Sequence, residues 1–419
     1  MTSEAFVWIY LPSHTEPVVC GRLLALEDGA YSFVYGRSYR DRRDSIALAP
    51  DGMPLGATPF IGRRVGALPG PIRDAGPDAW GRYVTDYRRG AANLDELDLL
   101  LSGQGDRIGA LAFSDSATEY HVPEYPEVTL AAMESAARDV QEGKPLPPHL
   151  LDALLHATTI GGARPKATLH MDGRRWIAKF SSTTDQNRVV RWEAATLGLA
   201  QAAGIRAPEH RLEQVNGRDV LLVERFDRES AADDVRRHLM LTALTLLDLD
   251  DTEAPLASYP DLSEVLVRHA HDATADRTEL FRRMVFNILV GNEDDHAKNH
   301  AFFWDGRRLR MTPAYDLLPQ RRAGMEGRQA MIVGELGPGG RESTLANALS
   351  SSQRFGLDED EAVALAEEVL TIVRDQWEQR FADLGVPSRE IDMLRGTSVL
   401  SPVAVNMNLP KRHRKGSRR

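Results

Sequence analysis

The sequence predicts an α+β fold: a β-rich N-terminal part, a small second group of strands broken by one helix, and a mostly helical C-terminal lobe. Three observations carry this expectation. Short aromatic and β-branched runs recur through the first 115 residues. The turn dipeptides Asp172-Gly173 and Asn216-Gly217 each stand between runs of strand length. Beyond about residue 236, apolar residues return at the helical period.

Taken in order, Phe6 to Leu11 and Tyr31 to Tyr35 read as strands, the second preceded by the turn signal Glu27-Asp28-Gly29. Pro69, Gly70, Pro71, Gly76 and Pro77 break the chain before a helical stretch at Ala79 to Arg88. The proline-bearing segment Val122 to Pro148 reads as a connector. Ala167 to His170 and Arg174 to Phe180 form one hairpin, and Val220 to Phe226 follows the second turn. Val190 to Ala203 between them has helical composition. Phe281, Met284, Val285, Ile288 and Leu289 make one apolar helix face. Asp305-Gly306 marks a hairpin within Phe302 to Met311. Asp358 with Glu361 three residues on reads as a helix start. The expected division is residues 1–145 for the β-rich part, 146–228 for a small lobe, 229–405 for a helical lobe and 406–419 for a basic tail. Strands, then strands with one helix, then helices with one hairpin is the order of a two-lobed kinase with an added N-terminal module, an order other α+β proteins share.

Composition narrows the function classes. The chain has 419 residues, 42% hydrophobic and 27% charged, an ordinary globular balance for two or three lobes. A single cysteine, Cys20, excludes an intramolecular disulfide and a cysteine-rich metal site and fits a reducing cytosol. No apolar run is long enough for a transmembrane helix, and the first 30 residues lack a signal-peptide pattern. The formal charge of −10 argues against broad nucleic-acid coating. Lys411 to Arg419 nevertheless carries six Lys or Arg, fitting either a solvated tail or a contact with DNA or an acidic partner.

The chemistry concentrates in Gly291-Asn292-Glu293-Asp294-Asp295-His296-Ala297-Lys298-Asn299, directly after the apolar helix face. Asp294 and Asn299 have the spacing of a kinase catalytic loop, in which an Asp faces the substrate hydroxyl and an Asn binds Mg²⁺. Lys298 is placed to offset charge on a transferring phosphoryl group. The pair alone also fits a solvated acidic loop. A zinc site on His296 lacks the second histidine four residues on. Asp316 follows the next hairpin by a few residues, where a second Mg²⁺ ligand would stand, though an Asp capping a turn beside Pro313 fits as well. Asn299 and Asp316 would then offer Mg²⁺ only oxygen.

Upstream, Thr159-Ile160-Gly161-Gly162-Ala163 with Lys166 is the candidate phosphate loop, and a surface turn explains it equally. Lys179 lies inside the apolar run Trp176 to Phe180, so it faces either a partner and ligand or, from a strand edge, water. Glu193 is the helix glutamate expected to pair with it. The segment Val223 to Arg228 is where a hinge would meet adenine.

These elements in this order resemble the HipA family of serine/threonine kinase toxins of type II toxin–antitoxin systems. The likeness rests on Thr159 to Lys166, Lys179-Phe180, Val223 to Arg228, Gly291 to Asn299 and Pro313 to Leu317. Gly105 to Leu111, Asp78 to Arg82 and Gly340 to Leu349 extend it over nearly the whole chain. The resemblance implies ATP and Mg²⁺ as cofactors and transfer of the γ-phosphate to a protein hydroxyl. By position it implies Asp294 as the catalytic residue, Asn299 and Asp316 as metal ligands and Lys179 on the phosphates. Glu224 and Phe226 would meet adenine through their backbones, and Thr159 stands where the family autophosphorylates a serine. It further implies a HipB-like helix-turn-helix antitoxin that binds DNA, and a protein substrate such as an aminoacyl-tRNA synthetase. The alternative is a catalytically silent, kinase-shaped corepressor acting through antitoxin and DNA.

Overall fold

The structure is a computed structural model that describes residues 3–90, 94–102, 106–121, 128–155, 162, 164–231, 234–322 and 324–408. It begins with a five-stranded antiparallel sheet in the spatial order Phe60–Ile61, Tyr31–Tyr35, Pro17–Ala25, Glu4–Tyr10, Leu111–Ser114. Pro17 and Gly21 mask the second of these strands in the sequence. Gly21 is needed there because a Cβ would strike the Val34 carbonyl and the Phe33 ring of the neighbouring strand.

The second sheet is antiparallel in the order Lys166–Met171, Arg174–Phe180, Arg218–Glu224, His210–Val215. Both predicted turn pairs take positive φ at each residue: Asp172 (55°) and Gly173 (71°), Asn216 (52°) and Gly217 (74°). Alternation sends Leu221 and Val223 into the main core with helix Val189–Ala202. It sends Val220 and Leu222 to the opposite face, against Trp80 and Val84 of helix Ala79–Arg89 and against Met133, Val140 and Leu154.

Met133 and Val140 lie where a connector was expected. Helix Leu130–Gln141 instead occupies much of the stretch between 122 and 148, and helix Pro148–Leu155 follows it. The prolines stay outside or at the first position, where a missing N–H costs nothing. Thr129 caps Leu130–Gln141 by accepting the Ala132 N–H at 3.2 Å, and Met133, Ala136, Ala137 and Val140 form its buried stripe.

The C-terminal lobe packs helices Tyr259–His269, Ala273–Val290, Leu345–Ser350, Glu359–Asp383 and Ser388–Leu394. All five residues of the predicted face in Ala273–Val290 are fully buried. The Asp358/Glu361 start is a complete capping box, with hydrogen bonds of 2.9 and 3.0 Å. This lobe also holds a three-stranded sheet in which Leu239–Thr242 pairs with Ala301–Trp304, itself paired with Leu309–Met311. Leu239–Thr242, like the preceding hairpin Arg228–Ala231/Asp234–Arg237, falls in a region the helical period had overshadowed. Among the described residues no helix is long and apolar enough to cross a membrane.

Candidate active site

Lys166 and Lys179 are direct partners across one hairpin, so two ammonium groups would face each other on the same side of the sheet. Each is resolved by its own carboxylates. Lys179 Nζ donates to Glu193 Oε1 of helix Val189–Ala202 and, at 2.9 Å, to Asp316 Oδ1 of the C-terminal lobe. Lys166 Nζ, only 1% exposed, donates to Asp78 Oδ2 at 2.6 Å and to the Gly162 carbonyl at 3.0 Å.

Burial alone would drive all these groups toward neutrality. For Lys179 the two carboxylates outweigh it and hold the ammonium charged well above the usual lysine range. Burial opposes ionisation of Asp316, but Lys179 overrides it and holds that carboxyl low. Glu193 goes the other way, raised by burial.

Asp316 has φ of +58°, in the left-handed region that costs a non-glycine residue about 1–2 kcal/mol. Strain of this kind marks sites where the surroundings dictate conformation. The preceding Tyr315 donates its hydroxyl to the Lys298 carbonyl at 2.6 Å and ties this segment to the loop Gly291 to Asn299.

That loop starts where helix Ala273–Val290 stops, at left-handed Gly291 with φ +70°. Its shape is organised on the Asp294 carbonyl, which accepts the His296 N–H at 2.9 Å and Asn299 Nδ2 at 3.1 Å. The Asn299 amide N–H is thereby committed to the loop, leaving its oxygen for a ligand. Asp295 and His300, each 2% exposed, lie 2.9 Å apart and staple the loop to the lobe. Glu293 holds Arg322 at 2.9 Å and accepts the Arg328 N–H at 3.0 Å. The Asp294 side chain itself is exposed.

Lys179, Glu193, Asn299 and Asp316 line one cleft between the lobes, about 1130 Å³ including its open mouth, which suits a nucleotide-sized ligand. Ile177, Leu197, Val223, Phe226 and Met240 supply its apolar lining. The Phe226 N–H meets no acceptor among the described residues. Asp294 borders the cleft through its contact with Asn299 rather than lining it.

Four expected positions need adjustment. Glu224 turns its side chain to Arg174 at 3.1 Å and spends its N–H on the Glu209 carbonyl, so Val223, Arg225 and Phe226 form the cleft wall there. Lys298 lines the cleft but is paired with Asp251 at 2.5 Å. Lys166 is committed to Asp78. His296 shapes the loop through its backbone, and its ring is half-buried. Of the expected phosphate loop, Gly162 is described, with φ of +110°; Thr159, Ile160, Gly161 and Ala163, and the basic tail, lie outside the described residues.

Sequence reasoning missed the wall built by the N-terminal part: Arg73, Asp74, Pro77, Asp78 and Ile108. Ile108 is held in place by a buried ionic cluster on either side of it. Arg225 donates to Asp106 at 2.7 Å and to Asp227 at 2.9 Å; Arg228 donates to Asp227 at 2.7 Å; Asp227 accepts the Gly109 N–H at 2.9 Å. The sequence signals were the density of charge in Glu224 to Arg228 at the end of an apolar strand and the resemblance carried by Asp78 to Arg82 and Gly105 to Leu111, neither of which says that these segments meet at the cleft.

Two lobes closing on a Lys–Glu–Asp triad, with an asparagine on the adjoining loop, define a protein-kinase-like fold. The chain belongs to the HipA family: the HipA-like C-terminal domain matches residues 158–377 and the HipA N-terminal domain residues 14–114. Among its relatives are two Sinorhizobium fredii proteins named for an inferred kinase activity. Y4mE is 26% identical over 72% of this chain and 74% of its own length. Y4dM is 28% identical over 72% and 75%. The serine/threonine-protein kinase toxin HipA of Shewanella oneidensis is 24% identical over 38% of this chain and 42% of that protein. Among solved structures, HipA of Shewanella oneidensis MR-1, in complex with HipB and operator DNA, shares the fold with a TM-score of 0.68 at 18% identity, covering 95% of each chain.

Proposed function

We propose that this protein is a toxin kinase that transfers the γ-phosphate of ATP to a Ser or Thr hydroxyl of a host protein. The observation that carries the reading is the contact of Lys179 with both Glu193 and Asp316, in a cleft shared with Asn299. A lysine held charged between two carboxylates is a phosphate ligand already oriented. Asn299 and Asp316 offer oxygen, and no cluster of three or more His, Cys, Asp or Glu able to hold a metal occurs among the described residues. Two oxygen-bearing side chains suit Mg²⁺, which keeps waters and phosphate oxygens as its other ligands. When bound there, Mg²⁺ supplies charge neutralisation on the phosphates.

The chain's own residues do the rest. Glu193 orients Lys179, and Lys179 holds the nucleotide phosphates. The Phe226 N–H and the apolar lining receive the base. Asp294, exposed at the cleft edge, accepts the proton of the incoming hydroxyl as its oxygen bonds to the γ-phosphorus and the β–γ bridge breaks. Catalysis in this reading is positioning and charge stabilisation.

Family membership and the HipA–HipB–operator complex of the Shewanella structure support a HipB-like antitoxin as the neutralising partner and an indirect link to DNA. The resemblance supports an aminoacyl-tRNA synthetase as the class of substrate to try first. The test is phosphate incorporation from γ-labelled ATP into lysate proteins and purified synthetases. Incorporation that requires Mg²⁺ and falls at least about 100-fold in Asp294→Asn and Asp316→Asn supports the reading. Equal labelling by wild type and both variants, or none with any protein, defeats it.

A further inference from the structure

Helix Val189–Ala202, which carries Glu193, has no cap of its own. Its N-cap residue Arg188 makes no side-chain cap hydrogen bond, and its first turn has no acidic residue. The Val189 and Arg191 N–H groups turn back on the Asn187 and Arg188 carbonyls at 2.9 Å each, but the Arg188 N–H finds no acceptor in its own turn and the positive helix end has no local acid. The structure supplies the missing acceptor from about 200 residues away in the chain. Glu390, 3% exposed and in the first turn of helix Ser388–Leu394, accepts both the Arg188 N–H at 3.1 Å and Trp192 Nε1–H at 2.9 Å, with the same oxygen, Oε2.

A second tie runs through Arg191. It donates twice to Asp219 of the small-lobe sheet, at 2.7 Å each, and once at 2.7 Å to the Leu384 carbonyl just past helix Glu359–Asp383. Gly385 leaves room for that guanidinium, since a Cβ there would meet Arg191 Nη1. The grips fall on residues 188, 191 and 192, immediately before Glu193.

We propose that Glu390 is a positioning residue for the nucleotide site: it caps the Glu193 helix from the C-terminal helices and so sets where Glu193 holds Lys179. The inference rests on the kinase reading for its consequence, not for its geometry. In kinases the place of this helix decides whether the Lys–Glu pair forms. Here the C-terminal pair of helices holds it, so a ligand or protein that displaces helix Ser388–Leu394 would act on ATP binding at a distance.

The experiment compares full-length Glu390→Ala, which removes the acceptor, with Glu390→Gln, which keeps one oxygen to accept both donors. Phosphate transfer is measured against ATP concentration, and hydrogen exchange is followed at the amides of Trp192 to Ala195. The expected result is a KM for ATP raised about tenfold or more in Glu390→Ala, faster exchange in that helix, and Glu390→Gln within about threefold of wild type. Simple loss of folded protein would lower kcat and leave KM unchanged. If Glu390→Ala does not fold, Trp192→Phe removes one donor while retaining an aromatic ring, and the same raised KM and faster exchange are expected. An unchanged KM and exchange, or Glu390→Gln as impaired as Glu390→Ala, overturns the proposal. Should wild type neither bind ATP nor transfer phosphate, the kinase reading fails, and exchange alone decides the cap: unaltered protection in Glu390→Ala refutes it.

Discussion

Lys166 and Lys179 stand opposite each other on neighbouring strands, yet one is claimed by Asp78 of the N-terminal part and the other by Glu193 and Asp316. The N-terminal part is therefore built into the cleft. Asp78 also caps helix Ala79–Arg89, its Oδ1 accepting the Gly81 N–H at 2.7 Å, while Trp80 Nε1 donates to the Lys166 carbonyl at 3.0 Å.

This double duty separates two substitutions. Asp78→Asn keeps an acceptor for the cap but leaves the buried Lys166 ammonium beside an amide, at a cost of about 3 kcal/mol. Asp78→Ala loses the cap too and is expected to cost about 1 kcal/mol more. Chemical denaturation of both variants measures the difference; equal stability of Asp78→Asn and wild type would contradict the assignment.

Acid is expected to weaken the junction between the N-terminal part and the segment Val223 to Arg228. Burial would raise the Asp106 and Asp227 carboxyls, but Arg225 and Arg228 outweigh it and hold both below the usual carboxylate range. Folded-state values depressed in this way add stability that is fully present above about pH 4 and is lost as pH falls through them. Denaturation midpoints between about pH 3 and pH 7 are expected to be flat at the upper end and to drop steeply at the lower. Asp227→Asn is expected to be less stable at neutral pH and to show a shallower acid slope.

Gly291 ends the helix that delivers the loop bearing Asp294 and Asn299. An alanine there meets the Ser398 backbone and a left-handed φ, the second alone costing about 1–2 kcal/mol. Gly291→Ala is expected to lower the thermal midpoint by several degrees and to reduce phosphate transfer more than the folded fraction falls, because the loop carrying Asp294 and Asn299 starts at that residue. Asp358→Ala, at the capping box, is expected to cost about 1 kcal/mol while leaving transfer unchanged.

Local chemistry made much of the fold readable. Asp172-Gly173 and Asn216-Gly217 admit almost no reading but tight hairpins, Asp358 with Glu361 names a helix start, and the stripe from Phe281 to Leu289 names a buried face. Strand Pro17–Ala25 was hidden because Gly21 answers to its neighbour Phe33, not to its own strand propensity. Within the site, Lys179 and Glu193 were legible because a lysine in an apolar strand demands a partner. Asp78, Asp106 and Glu390 were not. Asp78 and Asp106 stand in segments that carry the family resemblance, but the partners they hold at the cleft, like that of Glu390, lie 88 or more residues away, and local sequence does not name them.

The most direct test of the central claim is a crystal structure of the full chain with ATP and Mn²⁺ in place of Mg²⁺, read by anomalous scattering. The expected result is a metal peak bonded to oxygens of Asn299, Asp316 and the phosphates, with Lys179 on the same phosphates. A peak elsewhere, or a nucleotide seated away from Lys179, would contradict the account.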